Sequence, residues 1–291
     1  MSVSVIIPSF RADLTLPRVL SALRPQVGAQ AEVIVVDSSG INHATALQRE
    51  YPWIRVIGLG EKTLPGKARN IGVRAAAGRR LAFVDADAIP ASDWLSQLEM
   101  HLDRGNVAAV AGAVHNGTPA SVVGTASYLI EFSEVMPARR GRPLHAASCN
   151  LLVDRTAFEN AGGFAEDIWP GEDTILTVPW SRASQLQFAA AAGVWHLNRT
   201  RLRDFLAHQF RLGRSFVWVS CRTDVPYRRF SEWPFLVLAP GLRLVTLIAR
   251  LIVRPPLLRR ALLVVPLVAL GLLVWTAGVA IERTSTGQIT G

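Results

Sequence analysis

The stretch Leu81-Ala82-Phe83-Val84-Asp85-Ala86-Asp87-Ala88-Ile89-Pro90 decides how the rest of the chain is read. Four apolar residues, branched and aromatic among them, run straight into two carboxylates one residue apart. Such a run has the length and composition of a buried strand. A carboxylate at the end of a buried strand is costly unless something offsets its charge, so two of them side by side point to a cation. Mg²⁺ is held by one or two carboxylates together with substrate phosphates rather than by a complete protein cage. Asp85 and Asp87 therefore have the makings of half a site whose other half is a diphosphate. A solvated turn after a strand, where Asp is common, has the same local pattern, and the triplet alone does not separate the two.

Outward from this run, strands are expected over 3–7 (ended by Pro8), 33–36, 54–57 and 81–84. Helices are expected between them over 14–24, 44–50 and 66–77, the first with Thr15 as a cap and Pro17 in its first turn, the last closed by Gly78. That alternation predicts an α/β fold, a mostly parallel central sheet flanked by helices. Ligands of such sheets bind beyond the carboxyl ends of the strands, and Asp37 lies at one such end just as Asp85 and Asp87 lie at another. Further strands are expected over 107–114 and 148–153, and a short helix over 155–160 closed by Gly162-Gly163. The pattern is weak between 116 and 145, where 137–143 reads as a basic, turn-rich loop.

At 291 residues, half of them hydrophobic, the chain has enough material for one large or two modest domains. Its formal net charge is +9. The positive charge is nearly all Arg, Lys occurring only at Lys62 and Lys67, and much of the Arg lies beyond Arg199 beside apolar residues. That placement fits a membrane surface better than a nucleic-acid groove. With no helix-turn-helix, zinc-finger or RNA-recognition signature, no nucleic-acid partner is expected. Cys149 and Cys221 have neither metal-ligand spacing nor a disulfide framework and are expected as buried, reduced thiols of a cytosolic compartment. No basic segment precedes the first strand, so the N-terminal part is expected in the cytoplasm.

Beyond Arg201 the character changes. Leu202, Phe205, Leu206, Phe210 and Leu212 form a rough helical stripe interleaved with Arg203, Arg211 and Arg214, equally compatible with a membrane-surface helix and with one packed on a core. Residues 235–253 are apolar but broken by Pro240, Arg243 and Arg250, while 261–281 is uncharged and long enough for one crossing. Arg254, Arg259 and Arg260 precede that crossing, and positive-inside bias sets them in the cytoplasm, with 235–253 in the interface. A two-helix hairpin would put the three arginines outside. The expected organisation is a catalytic domain over 1–220 and a C-terminal membrane-associating helical region over 221–291.

The runs Val3-Ser-Val-Ile-Ile-Pro-Ser-Phe10, Glu32-Val-Ile-Val-Val-Asp-Ser-Ser39, Pro65-Gly-Lys-Ala-Arg-Asn-Ile-Gly72 and Phe83-Val-Asp-Ala-Asp87 are followed by Asn150, Ala161-Gly-Gly-Phe164 and Gly171-Glu-Asp173. Each is weak alone, but as an ordered set over roughly residues 3–215 the chain resembles the family 2 glycosyltransferases. The resemblance implies a GT-A fold, a nucleoside diphosphate sugar as donor, a divalent metal (Mn²⁺ or Mg²⁺) and inversion at the anomeric carbon.

On that resemblance, Pro8, Asp37, Lys67, Arg69, Asn70 and Asp85 bind the donor, although Ser38 stands where the family has a second acid. Asp87 and Asp85 match the metal motif, and His196 stands where several bacterial members have a further ligand. Without the resemblance, Asp37 reads as a loop cap, Lys67 and Arg69 as a solvated helix start, His196 as a core histidine and Glu172-Asp173 as helix-dipole partners. With it, Asp173 is the base that takes the acceptor hydroxyl's proton, Glu172 orients the acceptor and Asn150 lines the acceptor side. Gln209-Phe-Arg211-Leu-Gly-Arg214 loosely resembles the glutamine-arginine motif of processive polysaccharide synthases, but the following Trp is missing, which argues for single transfers. Arg211 or Arg214 is a candidate partner for the diphosphate, or a surface arginine. A lipid or cell-envelope glycan acceptor on the cytoplasmic face of a bacterial membrane follows from the apolar C-terminus. The alternative is a non-catalytic GT-A-like membrane scaffold.

Overall fold

A computed structural model describes residues 2–28, 30–137, 141–225, 228–232, 235–252 and 255–287. Residues 138–140 of the expected basic loop, and Arg254, lie outside the described residues. The described residues divide into two compact units, one formed by 1–115 and 135–196, the other by 116–134 and 197–291.

The first unit opens β1 (Val3–Ser9), α1 (Leu16–Leu23), β2 (Ala31–Asp37), α2 (Ile41–Glu50), β3 (Arg55–Gly58), α3 (Pro65–Ala75) and β4 (Arg80–Val84). These four strands pair in parallel in the order β3-β2-β1-β4. Helices cover them, so the strands are apolar without alternation: Val5, Ile6, Ile7, Ile34, Val35 and Phe83 are fully buried. Burying one such side chain contributes about 2 kcal/mol. Pro8 does not end β1, as the sequence led one to expect. It lies opposite Val36 of β2, whereas pairing with β4 stops at Ile6, so the missing N–H falls where no ladder requires it.

The chain continues as β5 (Ala88–Pro90), α4 (Trp94–Gly105) and β6 (Ala109–Asn116). After α5 (Val122–Phe132) come β7 (Asn150–Asp154), α6 (Arg155–Asn160), α7 (Glu172–Arg182) and β8 (Leu186–His196). The α5 helix fills the stretch where the sequence pattern was weak. Its start is capped by the Ser121 hydroxyl, which accepts from the Gly124 N–H. The expected helix over 155–160 is found with those bounds, its N-terminus capped by Asp154. The sheet extends as β4-β7-β6-β8-β5, with β7 antiparallel to β4 and β6, and β5 antiparallel to β8. The result is a mixed α/β sheet whose parallel half matches the expected alternation.

The second unit contains α5, α8 (Leu202–Arg222), α9 (Phe235–Ile252) and α10 (Pro255–Gly287). In α8 the buried face is not the apolar stripe alone: His208 and Gln209 are buried with Phe205, and Leu202 is exposed. Glu131 of α5 explains the polar members, accepting from Ser127, Arg199 and Gln209 and lying 3.2 Å from His208 Nε2. Arg214 is not free for a ligand; it pairs with Glu282 of α10, which also accepts from Trp218. Cys149 is buried as expected, but Cys221 is exposed on α8.

Candidate active site

Parallel pairing sets Ser9, Asp37 and the end of β4 along one edge, and the remaining groups arrive there from elements running the other way. Asn150, the first residue of β7, pairs with Val84, and His196, the last of β8, pairs with Ala88. That second pairing carries the imidazole to the carboxylates after β4. His196 Nε2 lies 3.5 Å from Asp87 Oδ1, and one ligand atom each from Asp85, Asp87 and His196 falls within 4.8 Å of the others. Two carboxylate oxygens and an imidazole nitrogen form a donor set suited to a divalent first-row ion or Mg²⁺.

A buried cation connects this cluster to the paired acids of α7. Arg69, on the first turns of α3, is 2% exposed. Its Nη2 donates to Asp85 Oδ1 at 2.6 Å and its Nη1 to Glu172 Oε1 at 2.7 Å, with the guanidinium plane near the Phe164 ring. Burial opposes the charge of Arg69, but Asp85 and Glu172 outweigh it and hold the guanidinium protonated. Burial raises the Glu172 carboxyl, and the Asp173 charge raises it further against the pull of Arg69. Backbone shape permits this meeting. Gly66 lets α3 approach so closely that a Cβ there would lie 2.4 Å from the Ala165 carbonyl oxygen and 3.2 Å from Glu172 Cγ. Gly171, with φ +112°, turns the chain into α7 in a conformation that glycine adopts without strain.

Asp173 sits beside this pair, partly exposed. Its Oδ2 accepts from the Ser148 N–H at 3.1 Å and its Oδ1 from the Thr174 N–H at 2.7 Å. The adjacent Cys149 thiol reports on the whole neighbourhood. Burial raises its pKa most, and Asp85, Asp87 and Asp173 raise it further while Arg69 lowers it. These acids therefore share one electrostatic neighbourhood around a buried residue.

Other expected site residues are placed differently. Asn70 is buried and braces the loop after α6: its Nδ2 donates to the Phe164 carbonyl and to Glu166, and its Oδ1 accepts from the Phe164 N–H. Arg69, expected at the nucleotide, is enclosed between carboxylates, and Glu172, expected at the acceptor, is 3% exposed. Asn150 does not line an acceptor site. It is 1% exposed, with Oδ1 accepting from Trp94 Nε1 and Nδ2 donating to the carbonyls of Ala113 and Ala192. An amide with these three bonds stitches strands together beneath the edge. Lys67 is exposed on the first turn of α3, Pro8 is half-buried, and Asp37 is fully buried at the end of β2. Sequence reasoning missed His43 and Asp13, which continue from Asp37 outward.

The bridge yields a stability prediction. Arg69→Met leaves two carboxylates facing each other without their cation, and breaking a buried pair costs about 3 kcal/mol or more. Thermal unfolding should fall by roughly 6–12 °C at the sensitivity of a domain this size. Glu172→Gln added to Arg69→Met should recover part of that loss, and an unchanged melting temperature in the single variant would remove Arg69 as the linchpin.

The family model described as glycosyl transferase family 2 matches residues 4–162. A pre-mycofactocin glycosyltransferase of Mycobacterium tuberculosis is 30% identical over 163 residues, covering 52% of this chain and 34% of that protein. The chain thus spans about a third of that relative's length. Glycosyltransferase AglE of Haloferax volcanii is 26% identical over 234 residues, covering 78% of this chain and 77% of that protein. Among solved structures, mannosyltransferase PcManGT from Pyrobaculum calidifontis, in complex with GDP-Man and Mn²⁺, superposes with a TM-score of 0.64 at 18% identity. That match covers 97% of this chain and 86% of the neighbour and establishes a shared GT-A fold.

Proposed function

The chain belongs to glycosyl transferase family 2, and from that premise we propose that it is a metal-dependent, inverting transferase. It moves one sugar from a nucleoside diphosphate sugar to a hydroxyl of a lipid or envelope glycan acceptor at the cytoplasmic face of a membrane. The observation that carries the reading is the meeting of Asp85, Asp87 and His196 at the strand edge, joined through Arg69 to Glu172 and the neighbouring Asp173.

Asp87, Asp85 and His196 would hold the divalent ion, and the imidazole would favour Mn²⁺ over Mg²⁺. Bound there, the ion supplies Lewis-acid neutralisation of the departing diphosphate. The chain's own groups do the rest. Pro8 and the loops held by the buried Asp37, at the ends of β1 and β2, form the nucleoside end, and Lys67 offers its charge from the start of α3, where free N–H groups also favour anions. Arg69 and Asn70 act one step back, holding Asp85 and the 164–166 loop. Asp173 takes the proton of the attacking hydroxyl, held by the Ser148 and Thr174 N–H groups, while its neighbour Glu172 is anchored by Arg69. The PcManGT complex with GDP-Man and Mn²⁺ supports the donor class and the metal.

The membrane part of the proposal leans on the C-terminal region over 221–291. Within α10, Ala261–Ser285 contains an 18-residue window of mean hydropathy 2.4 and has the length of one crossing. A tethered enzyme meets a membrane-borne acceptor at high effective concentration.

A thermal-shift panel of nucleoside diphosphate sugars with and without Mn²⁺ tests the core of this reading. The cognate donor at about a hundred times its Kd should stabilise the protein by about 2.7 kcal/mol, and only with the metal present. A panel in which no donor shifts the melt with Mn²⁺ overturns it.

A further inference from the structure

Asp37 is fully buried, yet its charge is not isolated. The Ser39 hydroxyl donates to Oδ1 at 2.8 Å, and that hydroxyl oxygen accepts from the Arg11 backbone N–H at 2.7 Å. On the other side, His43 of α2 brings Nδ1 to 2.7 Å from Asp37 Oδ2 and Nε2 to 2.8 Å from Asp13 Oδ1. Asp13 and Arg11 belong to the segment after β1, and Asp37, Ser39 and His43 to the end of β2 and the helix that follows. The imidazole therefore clips one strand-end loop to the other.

The geometry dictates the proton count. A neutral imidazole has one N–H, and an ionised carboxylate only accepts. Both ring nitrogens face carboxylate oxygens at hydrogen-bonding distance, so only the imidazolium serves both. The charged groups acting on His43 are Asp37 from β2 and Asp13 from the loop after β1, and their hydrogen bonds, Asp37's first, hold the imidazolium above its ordinary range. The clipped loop also carries Phe10, which is exposed and has the Arg11 guanidinium 5.2 Å and the Lys62 ammonium 5.0 Å from its ring centroid. Arg11 itself holds a left-handed backbone at φ 50°. An aromatic ring beside two cations, on a loop whose shape depends on one latch, is a surface whose fit to a nucleoside depends on that latch.

We propose that His43 is a positioning residue for the nucleotide-sugar donor: as an imidazolium it latches the Phe10–Asp13 loop to Asp37, and donor affinity declines as that proton is lost. This rests on the donor reading above. A group protonated in the formed site contributes below its ordinary range and loses that contribution as pH rises through its raised value. The window of loss therefore lies above the ordinary histidine range.

The test is calorimetric donor binding with Mn²⁺ from pH 6 to 8.5, alongside transfer kinetics, in the wild type, His43→Gln, Asp13→Asn and Asp87→Ala. Wild-type affinity should fall by about tenfold across the range. His43→Gln should bind about tenfold more weakly at pH 6, with a flat profile, and show the defect in donor KM rather than in kcat. Asp13→Asn, changed at an exposed side chain, should move the break to lower pH, and it carries the test if His43→Gln fails to fold. Wild-type affinity and pH dependence in His43→Gln, or an unmoved break in Asp13→Asn, overturns the latch. If the latch variants behave as wild type while Asp87→Ala is inactive, the latch alone fails. If Asp87→Ala binds donor and transfers normally, the donor reading fails with it.

Discussion

Asp87→Ala should abolish metal-dependent stabilisation by the donor and slow transfer by about a thousandfold, the largest effect expected of any single side chain here. Neutralising charge on a departing diphosphate is worth several kcal/mol, and about 1.4 kcal/mol corresponds to each factor of ten. Asp87 is the natural probe because its side chain is 43% exposed, whereas Asp85 is tied to Arg69. Removing Asp85 would release a buried cation and confound chemistry with folding. The readout is the difference in donor-induced melting shift with and without Mn²⁺, measured beside the transfer rate. Glu61→Ala, an exposed acid on a loop, should leave both unchanged. His196→Ala should weaken the response to Mn²⁺ more than the response to Mg²⁺, since imidazole favours the former. Retention of both the shift and the rate in Asp87→Ala would separate this cluster from the metal altogether.

The parallel half of the sheet was legible because its strands are apolar on both faces and stop at polar residues. Each short apolar run reads as a buried strand, and Asp37 and Asp85 mark the polar residues at which it stops. Period and composition are local quantities, and they read local structure well. Arg69 shows their limit. From the chain alone it is one of two basic residues at a helix start, indistinguishable from a solvated turn. What makes it a buried bridge is Glu172, 103 residues away, together with the Gly66 contact that lets the two elements meet. Asn150 fails in the same way: its position in an ordered motif suggested a ligand contact, but its partners are a helix tryptophan and two strand carbonyls brought together by antiparallel pairing. His43 carried no signal because one histidine on an amphipathic helix has no period of its own. A polar residue flanked by turn signals and facing two acids in neighbouring strand-end loops is the pattern that would have found it.

Asp173→Asn should leave the donor bound and remove the transfer. The asparagine amide keeps the size of the carboxylate but has one acceptor oxygen, so it keeps one of the two bonds from the Ser148 and Thr174 N–H groups and loses the other, a local change that leaves the metal cluster untouched. What it lacks is a site for the acceptor's proton. A positioned general base contributes about a hundredfold to ten-thousandfold, so kcat should drop by about a thousandfold while the Mn²⁺-dependent melting shift with donor stays at its wild-type value. The contrast with Asp87→Ala is the informative part. Both acids act on one electrostatic neighbourhood around Cys149, yet one variant should lose binding and the other only chemistry. Glu172→Gln differs from both. It keeps a hydrogen-bond acceptor for Arg69 but removes a charge, so it should unfold at a lower temperature and lose less activity than Asp173→Asn. A donor Kd that weakens in Asp173→Asn by as much as in Asp87→Ala would mean that this acid serves the donor and that the proton goes elsewhere.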